Sequence, residues 1–175
     1  ATLLHAQIDT LAVQKHIEVL IDSSAINYSD GNYVGSLSNN IAIVENAASI
    51  NHHGYLQKGY RYLGYDYLVL EDLELARVNF EKAQEYAQLI ENDTLVAETY
   101  MDLANLYSHN TNGYETAIDY HDKSITLFKE LKDSVNLAKA YYNTIISIFN
   151  EEQYDTAYPY LKAANGLIDI DIPNN

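Results

Sequence analysis

Apolar side chains recur along this chain at spacings of three, four and seven residues. That period puts them on one face of an α-helix. Eight stretches carry it, and they predict helices over about 10–28, 32–48, 51–70, 72–91, 94–109, 113–131, 134–150 and 153–168. Polar clusters punctuate them. Ser29-Asp30-Gly31-Asn32 and Asn110-Thr111-Asn112-Gly113 read as turns. Asp93-Thr94 and Asp133-Ser134 offer N-cap oxygens, and Asp72 and Glu74 place negative charge where a helix dipole favours it. The only prolines are Pro159 and Pro173, so most helices can run uninterrupted.

The periodic pattern itself repeats. Leu73, Ala76, Phe80 and Ala83 form one set; Tyr114, Ala117, His121 and Ser124 form another; Tyr154, Ala157, Leu161 and Ala164 form a third. Tyr33, Ser36, Asn40 and Ile43 form a weaker version. The small residues Ser36, Ala76, Ala117 and Ala157 recur at intervals of 40, 41 and 40 residues. A second signature precedes each set. Tyr60-x-x-Leu63-Gly64-x-x-Tyr67 and Tyr100-x-x-Leu103-Ala104-x-x-Tyr107 are well formed. Tyr141-x-x-Thr144-Ile145-x-x-Ile148 and Ile21-x-x-Ser24-Ala25-x-x-Tyr28 are looser. A bulky residue faces a small one, so two helices can approach closely.

These signatures resemble the tetratricopeptide (TPR) repeat over residues 10–168, with the middle two repeats the most specific matches and the first degenerate. The period exceeds the ~34 residues usual for that family, so helices longer than usual are expected. The resemblance implies an all-α fold, a right-handed α-solenoid of about four antiparallel helix pairs. Residues 1–175 then form a single domain with repeats at about 10–50, 51–92, 93–132 and 133–170. Such arrays commonly end in a polar capping helix. The tail Asp169-Ile170-Asp171-Ile172-Pro173-Asn174-Asn175 leaves no room for one, so the chain is expected to be a fragment of a longer protein or to have its end covered by another copy.

The resemblance also implies that first helices line a concave groove. The inward positions carried over are Lys58, Arg61, Tyr65 and Leu68 in repeat two; Glu98, Met101, Asn105, Ser108 and His109 in repeat three; and Lys139, Tyr142, Ile146, Phe149 and Asn150 in repeat four. Asn105 and Asn143 are placed to hydrogen bond an extended backbone. Lys58, Arg61 and Lys139 favour a carboxylate or acidic peptide, or else Lys58 and Lys139 neutralise neighbouring acids such as Glu98. Some relatives clamp a C-terminal carboxylate with Lys, Asn and Arg. Glu98 and Asp102 would repel one here, so that activity is not assigned.

Composition narrows the partners. The net charge is -15, with 25 acidic residues against 10 basic ones and no basic run. Nucleic acids and anionic membranes are therefore disfavoured. No apolar run reaches the length of a membrane span. The absence of cysteine removes disulfides, thiol catalysis and thiolate zinc sites. Ala1-Thr2-Leu3-Leu4-His5-Ala6-Gln7 reads either as an export-signal remnant cut near Ala6, which favours an extracytoplasmic setting, or as a fraying helix start.

Of seventeen tyrosines, Tyr60, Tyr67, Tyr100, Tyr107 and Tyr141 fall at packing positions and are expected in the core. Tyr62, Tyr65, Tyr142, Tyr158 and Tyr160 lie off that face, where they either bind a partner or pack between neighbouring pairs. His5, His16, His52, His53, His109 and His121 show no metal-ligand spacing. His52 and His53 are expected in solvent, and His121 as a buried, hydrogen-bonded imidazole. Gly54, Gly59 and Gly64 follow no strand, so they make no nucleotide loop. Glu151-Glu152 has no cleft to split its pKa values. No cofactor, metal or catalytic residue is expected.

The functional expectation is a protein- or peptide-binding module, the sensory or partner-docking region of a bacterial signalling protein such as a sensor histidine kinase, by resemblance. The alternative is a structural dimerisation spacer with no groove ligand.

Overall fold

A computed structural model describes the backbone of residues 2–109 and 113–171, with side chains for 9–109 and 113–167. The expected turn at Asn110–Asn112 and the tail from residue 172 onward lie outside the described residues, as do the side chains of the presumed export remnant. All described secondary structure is helical: α1 (Thr2–Ser29), α2 (Tyr33–Ser49), α3 (His53–Val69), α4 (Leu73–Leu89), α5 (Asp93–Ser108), α6 (Tyr114–Glu130), α7 (Ser134–Asn150) and α8 (Tyr154–Asp171). Every expected helix is present, with most ends within two residues of the expected ones.

One backbone device joins most of these helices. The helix ends in a residue such as Leu70, the next residue turns left-handed, and the one after caps the following helix. The left-handed positions are Gly31, Asn51, Glu71, Glu91, Lys132 and Glu152, with φ between 50° and 75°. At Glu71 the amide donates to the Leu68 carbonyl (3.1 Å) and the Asp72 amide to the Tyr67 carbonyl (2.9 Å), which closes the helix end. Asp72 Oδ1 then accepts from the Leu75 amide at 3.0 Å and opens α4. Asn32, His52, Asn92 and Asp133 repeat the cap three residues before their donor amides. Two expectations shift. Asn92, not Asp93, caps α5, because its side chain reaches the Leu95 amide. His52 is not a solvated side chain; its Nδ1 accepts from the Tyr55 amide at 3.2 Å. Among the described residues Gly31 and Asn51 are the left-handed positions held by residue types that favour them, so turn-residue statistics reveal just two of these links.

The chain forms two compact units, one ending at Glu91 and the other beginning at Asn92. In the first, α1 packs on α2, α2 on α3 and α3 on α4. With links this short, successive helices run antiparallel. Its core gathers Ile17, Ile21, Ile43, Ala47 and Leu56. In α3 and α4, Gly64 lies against Phe80, whose ring is fully buried. In the second unit α5 packs on α6, α6 on α7, and α7 on α8. Its core gathers Ala97, Met101, Ile125, Phe128, Leu137, Ala140 and Tyr141.

The packing-position tyrosines divide. Tyr141 is buried at 3% exposure, whereas Tyr60, Tyr67, Tyr100 and Tyr107 are only half-buried. Tyr60 stacks on Tyr86 (5.7 Å, 7°) beneath the Lys82 ammonium, and Tyr107 stacks on Tyr120 (5.7 Å, 8°) beside Lys123. These ring contacts join the helices of a pair.

His121 is the buried imidazole expected. Its Nε2 lies 2.9 Å from Ser147 Oγ, and its Nδ1 has no partner. Burial holds its pKa down at about 4.

Two stability predictions follow from this packing. A Cβ at Gly64 would come within 2.5 Å of the Phe80 ring. Gly64→Ala should therefore lower stability by about 1–3 kcal/mol despite the better helix former. Gly166 on α8 has open space around it. Gly166→Ala should raise stability by up to about 1 kcal/mol, and thermal unfolding of both variants checks the pair. The unfolded chain protonates His121 near its ordinary value and the folded chain only near 4. Its burial thus adds no pH-dependent cost above pH 6.5 and progressively more as pH falls towards 4, on the order of 3 kcal/mol at the end of that window. His121→Phe, with the residue type found at the matching Phe80, should flatten this part of the pH dependence in urea titrations.

Candidate functional site

The first repeat departs from the others in its chemistry. Where α3 and α4 present Leu63, Gly64, Ala76 and Phe80, the matching positions of α1 and α2 hold Ser24, Ala25, Ser36 and Asn40. Asparagine is shorter than phenylalanine and needs hydrogen bonds when buried. It finds them with its neighbours. Ser24 Oγ donates to Asn40 Oδ1 at 2.7 Å and lies 3.1 Å from Ser36 Oγ. Asn40 Nδ2 donates to Asp66 Oδ2 at 2.6 Å, reaching from α2 to α3. All four side chains are at most 3% exposed.

The space a ring would occupy is open. A pocket of about 350 Å³ lies between α1, α2 and α3 of the first unit. Its polar floor is Ser24, Ser36, Asn40 and Asp66, and its walls include Ala25, Tyr28, Tyr62 and Tyr65. The size falls at the small end of ligand sites. Asp66 is fully buried, yet its Oδ1 has no hydrogen-bond partner. Burial raises the pKa of its carboxyl, while Ser36 and Asn40 beside it pull the other way. The Tyr28 phenol is also raised, by burial first and then by Tyr33 and Asp66.

The expected groove residues fall in both units. In the first, Lys58, Arg61, Tyr65 and Leu68 are half-buried on α3. Arg61 Nη2 donates to the Tyr65 hydroxyl at 3.4 Å, and its guanidinium sits 5.8 Å from that ring's centre. The Tyr65 ring meets Phe80 edge-on. In the second unit, Asn105 and Asn143 are half-buried and His109 is exposed. Tyr142, Ile146 and Phe149 form a row along α7, exposed by 64%, 42% and 47%. Lys139 continues that row one turn earlier, its Nζ donating to Asn136 Oδ1 at 3.2 Å. Met101 differs from its groove assignment. It is only 9% exposed and belongs to the core, because it shares the i, i+4, i+7 stripe of Ala97 and Ala104.

Sequence reasoning missed Asp66 and the pocket. The signal was present in the polar residues at Ser24, Ser36 and Asn40, which made the first repeat look degenerate.

Ser147 and His121 have the spacing of a nucleophile and its base. Both are buried, and Nδ1 has no acceptor to orient the ring, so the pair reads as core hydrogen bonding. Among the described residues, no three His, Asp or Glu side chains converge as metal ligands, and no helix is long and apolar enough to cross a membrane.

A buried carboxylate with one oxygen lacking a donor costs stability. Asp66→Asn keeps an oxygen for the Asn40 amide and removes the charge. The variant should melt higher than wild type at pH 8. Because the folded-state pKa of Asp66 is raised, its charge costs least at low pH, so the gain should shrink on acidification.

No protein-family profile matches the chain, and no curated protein matches it. Solved structures do. Aspartyl phosphate phosphatase F from Bacillus subtilis superposes with a TM-score of 0.78 at 20% identity, over 89% of this chain and 40% of that one. BtubC (BKLC) from P. vanneervenii superposes with a TM-score of 0.74 at 15% identity, over 87% of this chain and 64% of that one. This chain thus spans less than two thirds of either protein. At these identities the likeness is one of fold alone, that of a TPR-like helical solenoid.

Proposed function

We propose that this chain is a protein- or peptide-binding module, the ligand-sensing or partner-docking region of a bacterial signal-transduction protein such as a sensor histidine kinase. The observation that carries the binding reading is the row Tyr142, Ile146 and Phe149 on α7. Three large apolar side chains held in water along one helical face lose that hydration cost when a partner covers them. Aromatic side chains so placed are frequent anchors of recognition surfaces. Lys139 on the same face, and Lys58 and Arg61 on α3, suit acidic or carboxylate groups of the partner. The signalling setting is an analogy from fold: one array of this kind belongs to a protein named as an aspartyl phosphate phosphatase. The two units described above are proposed to act as one repeat domain within a longer protein.

A second reading has its own support. Tyr154, Tyr158 and Leu161 on α8 are exposed by 56%, 69% and 45%. That face suits pairing with another copy, in which case the chain is a dimerisation spacer.

Peptide arrays probed with wild type, with Tyr142→Ala/Phe149→Ala and with Lys58→Glu/Arg61→Glu/Lys139→Glu test the first reading, with folding checked by circular dichroism. Capture of acidic peptides by wild type, reduced at least tenfold in both variants, is expected. Capture unchanged by either variant, or absent altogether, would sink it. A mass in sedimentation equilibrium that rises with concentration, and falls back in Tyr158→Lys, would then favour the spacer.

A further inference from the structure

The pocket between α1, α2 and α3 is assembled from residues that weaken the repeat. Ser24, Ser36 and Asn40 replace the apolar side chains that pack the next helix pair, and Asp66 brings a carboxylate to the pocket floor. A repeat selected for packing alone would fill this space with a ring, as Phe80 does. The carboxylate is only half satisfied. Oδ2 accepts from Asn40, and Oδ1, in a fully buried side chain, has no donor. Buried polar atoms in folded proteins nearly always have a partner, so the exception needs an occupant to explain it.

The walls say which kind of occupant. Tyr28, Tyr62 and Tyr65 line the pocket, and the Arg61 guanidinium already sits 5.8 Å from the centre of the Tyr65 ring. Ring faces carry negative charge density and attract cations. An acceptor-only oxygen below such walls suits a group that brings N–H donors and positive charge together. The net charge of -15 draws such a group in from a distance. An anion would meet Asp66 head-on, and a neutral apolar group would leave Oδ1 bare.

We infer that this pocket takes an organic cation, the ammonium or guanidinium group of a basic side chain carried by the peptide partner, whose N–H donates to the Asp66 carboxylate when the covering floor side chains part beneath Tyr28, Tyr62 and Tyr65. This rests on the partner-binding reading and extends it. The partner carries a basic side chain for the first unit as well as acidic groups for the lysines. The pocket excludes a neutral isostere, because only a charged donor offsets the desolvation of the carboxylate.

The test is a titration of the whole ¹⁵N-labelled chain with the peptide acetyl-Gly-Ala-Arg-Ala-Gly-amide, its citrulline counterpart, and butylammonium chloride, at constant ionic strength. The arginine peptide should shift the amides of Ser24 to Tyr28 and of Tyr62 to Asp66. The citrulline peptide should bind at least tenfold more weakly. Asp66→Asn should cost at least tenfold in affinity for the arginine peptide while remaining folded. Ala25→Leu, which places a larger apolar side chain on the pocket wall, should abolish the shifts. Equal binding of citrulline and arginine overturns the inference, as does wild-type affinity in Asp66→Asn or Ala25→Leu. Butylammonium binding as tightly as the peptide reassigns the pocket to a free amine and overturns the peptide source. Array capture that is lost in Tyr142→Ala/Phe149→Ala but survives Asp66→Asn and Ala25→Leu leaves partner docking standing and removes this pocket from it. Absence of any array capture removes the docking reading itself.

Discussion

Close approach of two helices at a small residue is the constraint on which this fold depends. Gly64 leaves the Phe80 ring room to lie against the α3 backbone, and that ring is fully buried. The buried alanines Ala104 and Ala117 provide similar small surfaces on α5 and α6. Neither helix of a pair can bury its apolar stripe alone, and each pair leaves a face for the next. The regular links serve the same end. A left-handed residue followed by a capping side chain closes one helix and opens the next within three residues, so the chain reverses without exposing unsatisfied carbonyls and amides.

The first repeat trades that packing for chemistry. Asn40 occupies the place of Phe80, and its amide is committed to Ser24 and Asp66. The result is a hollow with a charged floor in place of a ring. A site of this kind is expected to cost stability and return it on binding, because the same desolvation that penalises the bare carboxylate strengthens its contact with a cation. His121 is a contrasting substitution at the matching position of the third repeat. It is fully buried and satisfies one ring nitrogen through Ser147, so it alters acid stability.

The exposed surfaces divide the remaining work. The α7 row of Tyr142, Ile146 and Phe149 offers apolar area beside Lys139, whereas the hollow of the first unit offers a buried carboxylate among phenols. In the proposed docking, these are complementary demands on one partner, apolar and acidic at one surface and basic at the other. Their separate chemistry is what allows variants at each to be read independently.

Much of this was legible in the sequence. Apolar period, repeat spacing and the bulky–small pairing determined the eight helices and their antiparallel pairing, because those features depend on residues near one another in the chain. The α7 row was named only through the family resemblance, which put Tyr142, Ile146 and Phe149 on a groove face; in the structure all three are exposed. The core place of Met101 was not legible, since a stripe at the edge of two faces is assigned to core or surface only by the helix packed against it. His52 as a cap, and glutamate or lysine at left-handed turn positions, were likewise decided by backbone geometry that many residue types can adopt. The pocket was the tertiary structure's decision most of all. Ser24, Asn40 and Asp66 lie on three helices and are separated by 16 and 26 residues. Only packing brings them to one floor, and only there does an ordinary aspartate become a buried carboxylate with an oxygen left to share.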